Sequence, residues 1–184
     1  MTAAPGGGTF TCRLARTDAE RRDYFALRRA IFCDEQGLFA TDDRDGLDEG
    51  LYPQAHPIVC LHAAGDGSDA RVVGVVRIWE ASPGDWWGGR LGVHADFRSA
   101  ATVGRRLVQT AVGTARAWGA WRFRATVQWA NAPFFRRLHW HTAETVDLHG
   151  QPHHLMQADL SWYAPVAERR PHAAGRPAED LDAA

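Results

Sequence analysis

"LGVHADFRSAATVGRRLVQTAVGTARAWGA", residues 91–120, decides how this chain folds. It begins as an apolar strand, crosses a short loop of small residues and continues as an amphipathic helix. Val103, Leu107, Ala111 and Ala115 recur on one stripe, which predicts a helix over 102–118. The first turn of a helix offers backbone N–H groups with no internal partner, and the helix dipole adds partial positive charge there. Small residues ahead of that turn let an anion approach the main chain. Arg98, Arg105 and Arg106 add charge suited to phosphate. Two readings stand side by side: a cradle for a diphosphate, or an ordinary strand–helix loop with surface arginines.

Outward from this junction the pattern alternates. "TFTCRLA" (9–15) reads as a strand, and Asp18 caps a helix through "DAERRDYFALRRAIFCDEQ". A polar, acidic loop (37–57) follows. "IVCLHAA" (58–64) and "RVVGVVRIWE" (71–80) read as paired strands, and "WWGGRLGV" (86–93) as a third. After the helix come the strand "WRFRATVQ" (121–128), the short helix "NAPFFRRL" (131–138) and a terminal hairpin around Gly150. The order predicts an α/β (α+β) fold, a mixed sheet with helices on both faces, whose 87–128 segment forms a parallel crossover. One domain is expected over 9–163, with residues 1–8 and 164–184 disordered because they are rich in Ala, Pro, Gly and charge.

The net charge of −1 gives no basic field for nucleic acid. All 21 basic residues are arginine. Three cysteines at unrelated spacings suggest neither a disulfide framework nor a metal site, and fit a reducing compartment. Without a leader pattern or an apolar run long enough to span a bilayer, a cytoplasmic protein with no membrane partner is expected. Nine histidines lack the spacing of a metal site, so no metal is expected.

The residues also carry a family resemblance. Val93, then Arg98 and the small-residue turn into "VGRRLV", resembles the acyl-CoA-binding signature of the GNAT superfamily of N-acetyltransferases, Arg/Gln-x-x-Gly-x-Gly/Ala. Ala101 stands where the first glycine is expected, and Val103 or Gly104 takes the place of the second. "VQWANAPFFRRLHW" (127–140) resembles the family's later segment, and "EQGLF", "WWGGRL", "FFRRLHW" and "PHHLMQADL" resemble its nitrogen-starvation subfamily, found near nitrilase gene clusters.

The resemblance implies a mostly antiparallel sheet of six or seven strands and direct transfer of an acetyl group from acetyl-CoA to a small-molecule amine. It places the cofactor against Leu91, Gly92, Val93, Arg98, Ser99, Ala100, Ala101, Thr102, Val103, Gly104, Arg105 and Arg137. Asn131 bonds the pantetheine arm, with Phe134 and Phe135 lining its channel. Phe135 stands where many relatives have a tyrosine that protonates the leaving thiolate. A homodimer is compatible with the family.

Transfer needs a donor for the developing oxyanion, expected from the backbone at 92–94, and a base for the ammonium. Glu80, walled by Trp79, Trp86 and Trp87, is the first candidate base, its pKa raised by apolar surroundings; the plain reading is a solvated strand-end carboxylate. Glu35 is the second, and would otherwise pair with Arg28 or Arg29. His141, His153 or Tyr163 are candidate proton donors in place of Phe135. Trp86 and Trp87 are candidate walls of the acceptor pocket, and Asp45, with its acidic neighbours, a candidate attractor of a cationic amine.

Two other functions fit the same residues. Arg28, Phe32, the acidic run to Asp48 and Arg77 loosely resemble acyl-homoserine-lactone synthases, which by that resemblance draw on acyl carrier protein and need no phosphate loop. A catalytically degenerate acyl-CoA-binding module would explain Phe135 and the missing glycines.

Overall fold

The computed structural model describes residues 8–49, 54–65, 70–99, 101–148 and 150–171. Seven strands form one sheet: β1 (Thr9–Leu14), β2 (His56–Ala63), β3 (Arg71–Ser82), β4 (Asp85–Val93), β5 (Arg122–Gln128), β6 (Trp140–Leu148) and β7 (Gln151–Ala158). Their order across it is β1-β2-β3-β4-β5-β7-β6. Neighbours are antiparallel except β4 and β5, which the intervening helix makes parallel.

Both faces of the central strands are covered, which is why β2 and β3 read as nearly unbroken apolar runs. Helix α1 (Asp18–Arg29) lays Tyr24 and Leu27 against Val59, Leu61 and Val75 on one face. Helix α2 (Thr102–Ala117) buries Val103, Leu107, Ala111 and Ala115 with Ile58, Ile78, Trp86 and Phe123 on the other. The predicted helical stripe is the buried one. Thr17 caps α1 by accepting from the Glu20 amide. Beyond Arg29 the helix widens into a π-helical segment, Ala30–Glu35, where one unbroken α-helix was expected. Such a segment shifts the phase of the side chains, and here it turns Ile31 and Phe32 onto β4.

The β4–β5 pair positions the site. It is laddered only from Asp85↔Arg122 to Gly88↔Ala125. At that end Asp85, almost fully buried, accepts from Arg122 at 2.8 and 3.0 Å and from Arg124 at 2.6 Å. The strands part beyond Gly88. Where they part, β4 carries a bulge: Arg90 and Leu91 together oppose Val76 of β3, and Arg90 has φ +54°. A clamped end and a parted end make a fork.

After Ala132–Arg136 (α3), with Pro133 in its first turn, the chain enters the β6–β7 hairpin, turned at Gly150 with φ +74°. The tail drawn as disordered from 164 does not begin there. The Val166 amide bonds the Gly113 carbonyl at 3.0 Å, Trp118 Nε1 bonds the Glu168 carbonyl at 2.7 Å, and Arg170 pairs with Glu80. Residues 1–7 and 172–184, the rest of those two expectations, lie outside the described residues. Among the described residues no helix is long and apolar enough to cross a membrane.

Candidate functional site

One wall of the fork is the β4–α2 junction. Its turn is closed by Ala101 N–H to Arg98 O at 3.2 Å, and Ala101 enters α2 with φ +51°, a left-handed position that favours glycine. Ala101, at the N-cap of α2, supplies no side-chain cap, and none is made among the described residues. Gly104 faces Phe134: a Cβ built there meets Phe134 Cζ at 3.3 Å and Val93 at 3.9 Å. Phe134 therefore packs onto the first turn of α2 and the end of β4, beside the fork. Ser99 is exposed, and Ala100 lies outside the described residues. Leu91 and Val93 turn their side chains to the α2 core, and Gly92 its α-carbon to Ile31 and Phe32.

The arginines divide. Arg98 does not stand free for phosphate: it donates to the Val93 carbonyl and to Glu35, each at 2.6 Å, and so ties the end of β4 to the π-helical segment. Arg106 turns away to the Phe10 carbonyl at 2.9 Å. Arg105 and Arg137 line a cavity of about 280 Å³ with Gln109, Leu138, His139, Trp162 and Tyr163. They are the charges left on the outer side of the junction.

The opposite wall is the acidic loop, folded onto the sheet. Arg28, with no exposure, donates to Asp43 at 2.8 Å and to both oxygens of Asp48 at 2.8 and 2.9 Å. Arg77 meets Asp45 at 2.8 and 2.6 Å and Asp48 at 2.6 Å. Arg90, from the bulge, donates to the same Asp43 oxygen, Oδ2, at 3.0 Å. The Arg77 guanidinium holds the Asp45 carboxyl below the usual carboxylate range, against the opposing effect of burial. Three arginines meet three aspartates, so the expected attraction of this loop for a cationic amine is cancelled locally. Asp45 is a member of this network, and its charge is already used.

Several predicted roles fail on position. Glu80 lies opposite Trp86 near the clamped end, on the α2 face. Six residues separate Trp86 from Gly92, roughly 15–20 Å along a strand. Its pKa is also not raised. Burial acts upward, but the Gly84 amide at 2.7 Å and Arg170 outweigh it and leave the carboxyl below its ordinary value. Trp86 is fully buried against His56 and Trp118, while Trp87 emerges on the other face, stacked on Trp79 with Arg124 over its ring. Adjacent strand residues point to opposite sides, so both tryptophans cannot wall one pocket.

Phe135 packs into the core on Trp140 and does not line a channel. Tyr163 accepts from Trp140 Nε1 at 2.8 Å and donates to the Leu138 carbonyl; burial raises its pKa to about 12. It is packed as a core residue, with its hydroxyl proton given to the Leu138 carbonyl. His141 sits on β6 opposite Gln157, two strands from the fork. His153 pairs with Gln128 at the parted end of β5, with Nδ1 2.9 Å from the Gln151 carbonyl. Asn131 is exposed at the start of α3, directly after the turn that follows β5. Glu35 pairs with Arg98 and not with Arg28 or Arg29.

The fork therefore brings together the bulge of β4, the uncapped start of α2, Phe134, Glu35 and, at its β5 side, Asn131 and His153. Sequence reasoning missed Arg90, whose left-handed backbone makes the bulge; the run "GGRLG" was its signal. Among the described residues no group of three His, Cys, Asp or Glu is placed to hold a metal ion.

No protein-family model and no curated protein sequence matches the chain. Solved structures do. An acyl-CoA N-acyltransferase from Pseudomonas aeruginosa is 21% identical with a TM-score of 0.65, over 83% of this chain and 99% of that one. An acetyltransferase of the GNAT family from Staphylococcus aureus is 11% identical with a TM-score of 0.62, over 83% and 99%. BjaI, a CoA-dependent acyl-homoserine lactone synthase solved with SAM and isopentyl-CoA, is 16% identical with a TM-score of 0.64, over 84% of each chain. The fold is GNAT-like, a seven-stranded, mostly antiparallel sheet with helices on both faces.

Proposed function

We propose that this GNAT-like chain is an acyltransferase that moves an acyl group, acetyl in the first instance, from coenzyme A to the amine of a small molecule. The observation that carries this is the fork: β4 leaves β5 at Gly88, next to a helix start that no side chain among the described residues caps. The unpaired edge of β4 and the first turn of α2 are main-chain donor surfaces, one suited to an extended amide chain and the other to a diphosphate. Close packing at Gly104 fits the same guest, because a side chain there would fill the approach between Phe134 and α2.

A bound thioester supplies the electrophilic carbonyl. The chain's part is to place it and to stabilise charge. Amides at the bulge, residues 91–93, are the donors for oxygen as it turns negative. Arg105 and Arg137 take the phosphate charge, and Asn131 and Phe134 hold the arm that joins it to the thioester. Glu35 and His153 flank the fork and are the two candidate proton carriers; Glu80 and His141 leave the proposal. Phe135 has no proton to give, so the thiol leaves as thiolate or takes its proton through water, which a thiol pKa near 8.5 allows. The narrower likeness to nitrogen-starvation acetyltransferases rests on the sequence motifs and belongs to this proposal.

A second reading has its own observation. Arg28, Asp45, Asp48 and Arg77, which resemble acyl-homoserine-lactone synthases, are drawn into one network beside the fork. Dependence on carrier protein does not separate that reading from the first, since one similar structure is of a CoA-dependent synthase. Isothermal calorimetry with CoA, followed by thiol release from acetyl-CoA across a panel of amines and S-adenosylmethionine, tests both. Micromolar CoA binding and amine-dependent thiol release are expected. Release only with S-adenosylmethionine favours the synthase, binding without release favours the degenerate module, and absence of binding overturns all three.

A further inference from the structure

Cys12 and Cys60 face each other across β1 and β2. The Ala15 amide bonds the Pro57 carbonyl at 2.9 Å, which marks 15 and 57 as a hydrogen-bonded position of this ladder. Alternation makes 13/59 the next such position and 12/60 a non-hydrogen-bonded one. Opposed residues there lie about 4.5 Å apart between α-carbons, with side chains on the same face. That separation falls inside the span a disulfide bridges without moving the backbone. The register of β1 on β2 has no bulge to disturb it.

We propose that Cys12 and Cys60 are a peroxide-oxidisable dithiol that closes to a cross-strand disulfide. Cys60 is fully buried, but Cys12 is only partly buried and lines a cavity of about 420 Å³ with Arg106, Gln109, Thr110, Trp162, Tyr163, Ala164 and Val166. A hydroperoxide enters there. The Cys12 thiolate attacks the peroxide oxygen, the O–O bond breaks, and a sulfenic acid and hydroxide form. The Cys60 sulfur then displaces hydroxide from Cys12 as the S–S bond forms, so two thiols and one hydrogen peroxide give one disulfide and two waters. The two thiols share a hydrogen bond that pushes Cys12 up and Cys60 down, while burial raises both and Arg106 lowers both; the pair therefore titrates as one unit, with its remaining proton held between the sulfurs and the anion reaching peroxide at the more accessible Cys12. Cys33, buried within the π-helical segment, has no such partner in register. The closed loop would contain α1, the π-helical segment and the arginine-clamped wall of the fork.

The three cysteines fall in separate tryptic peptides: Cys12 ahead of Arg13, Cys33 between Arg29 and Arg44, and Cys60 between Arg44 and Arg71. The native full chain is treated with hydrogen peroxide, quenched in acid, unfolded, alkylated with N-ethylmaleimide and digested. The expected product is a Cys12–Cys60 crosslinked peptide pair lighter by two hydrogens, with Cys33 alkylated and the crosslink reversed by dithiothreitol. The oxidised chain should melt several degrees higher than the reduced one. In Cys12→Ser, and independently in Cys60→Ala, the crosslink should vanish, with the remaining Cys12 of the second variant advancing to sulfinic acid. Full alkylation of Cys12 and Cys60 after a dose that oxidises methionine, a bridge to Cys33, or a bridge between two chains overturns the proposal.

Discussion

The two walls of the fork treat polar groups in opposite ways. On the loop side, three guanidinium groups and three carboxylates neutralise one another, and Arg28 and Asp43 do so with almost no exposure. On the α2 side the helix start has no side-chain cap among the described residues, and Arg98, which could have charged it, is spent on Glu35 and the Val93 carbonyl. Buried charges that answer each other hold a shape and have little left to offer a guest. A helix start without a cap has a donor surface to offer. The first wall is scaffold, and the second is where an anionic ligand gains.

The difference can be broken experimentally. Arg28→Ala leaves Asp43 and Asp48 without their buried partner and should cost about 3–5 kcal/mol in urea unfolding; a loss below about 1 kcal/mol would end the description of this wall as scaffold. Gly104→Glu should lower CoA affinity at least tenfold by calorimetry. If affinity is unchanged, the α2 wall is not the ligand side. Ala101→Gly removes a left-handed alanine and should stabilise the chain by roughly 1 kcal/mol, with no loss of CoA binding.

Arg98→Ala breaks a half-exposed pair and should cost about 0–1 kcal/mol. Its effect on CoA affinity should be smaller than that of Arg105→Ala, the reverse of what the signature motif implies. Acid sharpens the contrast further. The folded pKa of Asp45 is depressed, so its contribution is complete above the unfolded value of about 3.9 and fades as pH falls below it. An acid titration by near-UV circular dichroism should lose the clamped wall in that range, and Asp45→Asn should flatten the slope.

The periodic parts of this fold were legible because their signal is local. The α2 stripe and the alternation of β5 each lie within one element, and both were read correctly from spacing alone. What escaped was set by contacts between distant segments. Arg28 meets Asp43 and Asp48 fifteen and twenty residues later, and Arg77 closes the network from another strand. A loop pinned to a sheet leaves no period in its sequence, so its acidity read as a surface charge. Glu80 was misplaced for want of knowing which end of the β4–β5 pair would open. Trp86 and Trp87 are a different case, since strand alternation alone separates them. The left-handed turn at Ala101 falls on a residue that does not advertise it, whereas the glycines around Arg90 mark its bulge.

Beyond Tyr163 the chain still has work to do as a fastener. Val166 lies in a notch that exists because residue 113 has no side chain; a Cβ there would stand 2.6 Å from the Ala164 carbonyl and 2.7 Å from Val166. A shortened version ending where the last strand pairs are complete would strip the outer side of α2, expose Trp118 and release Glu80 from Arg170. Fusions and affinity handles at this end therefore belong after residue 171, and a truncation at 163 should be expected to behave as a wounded protein.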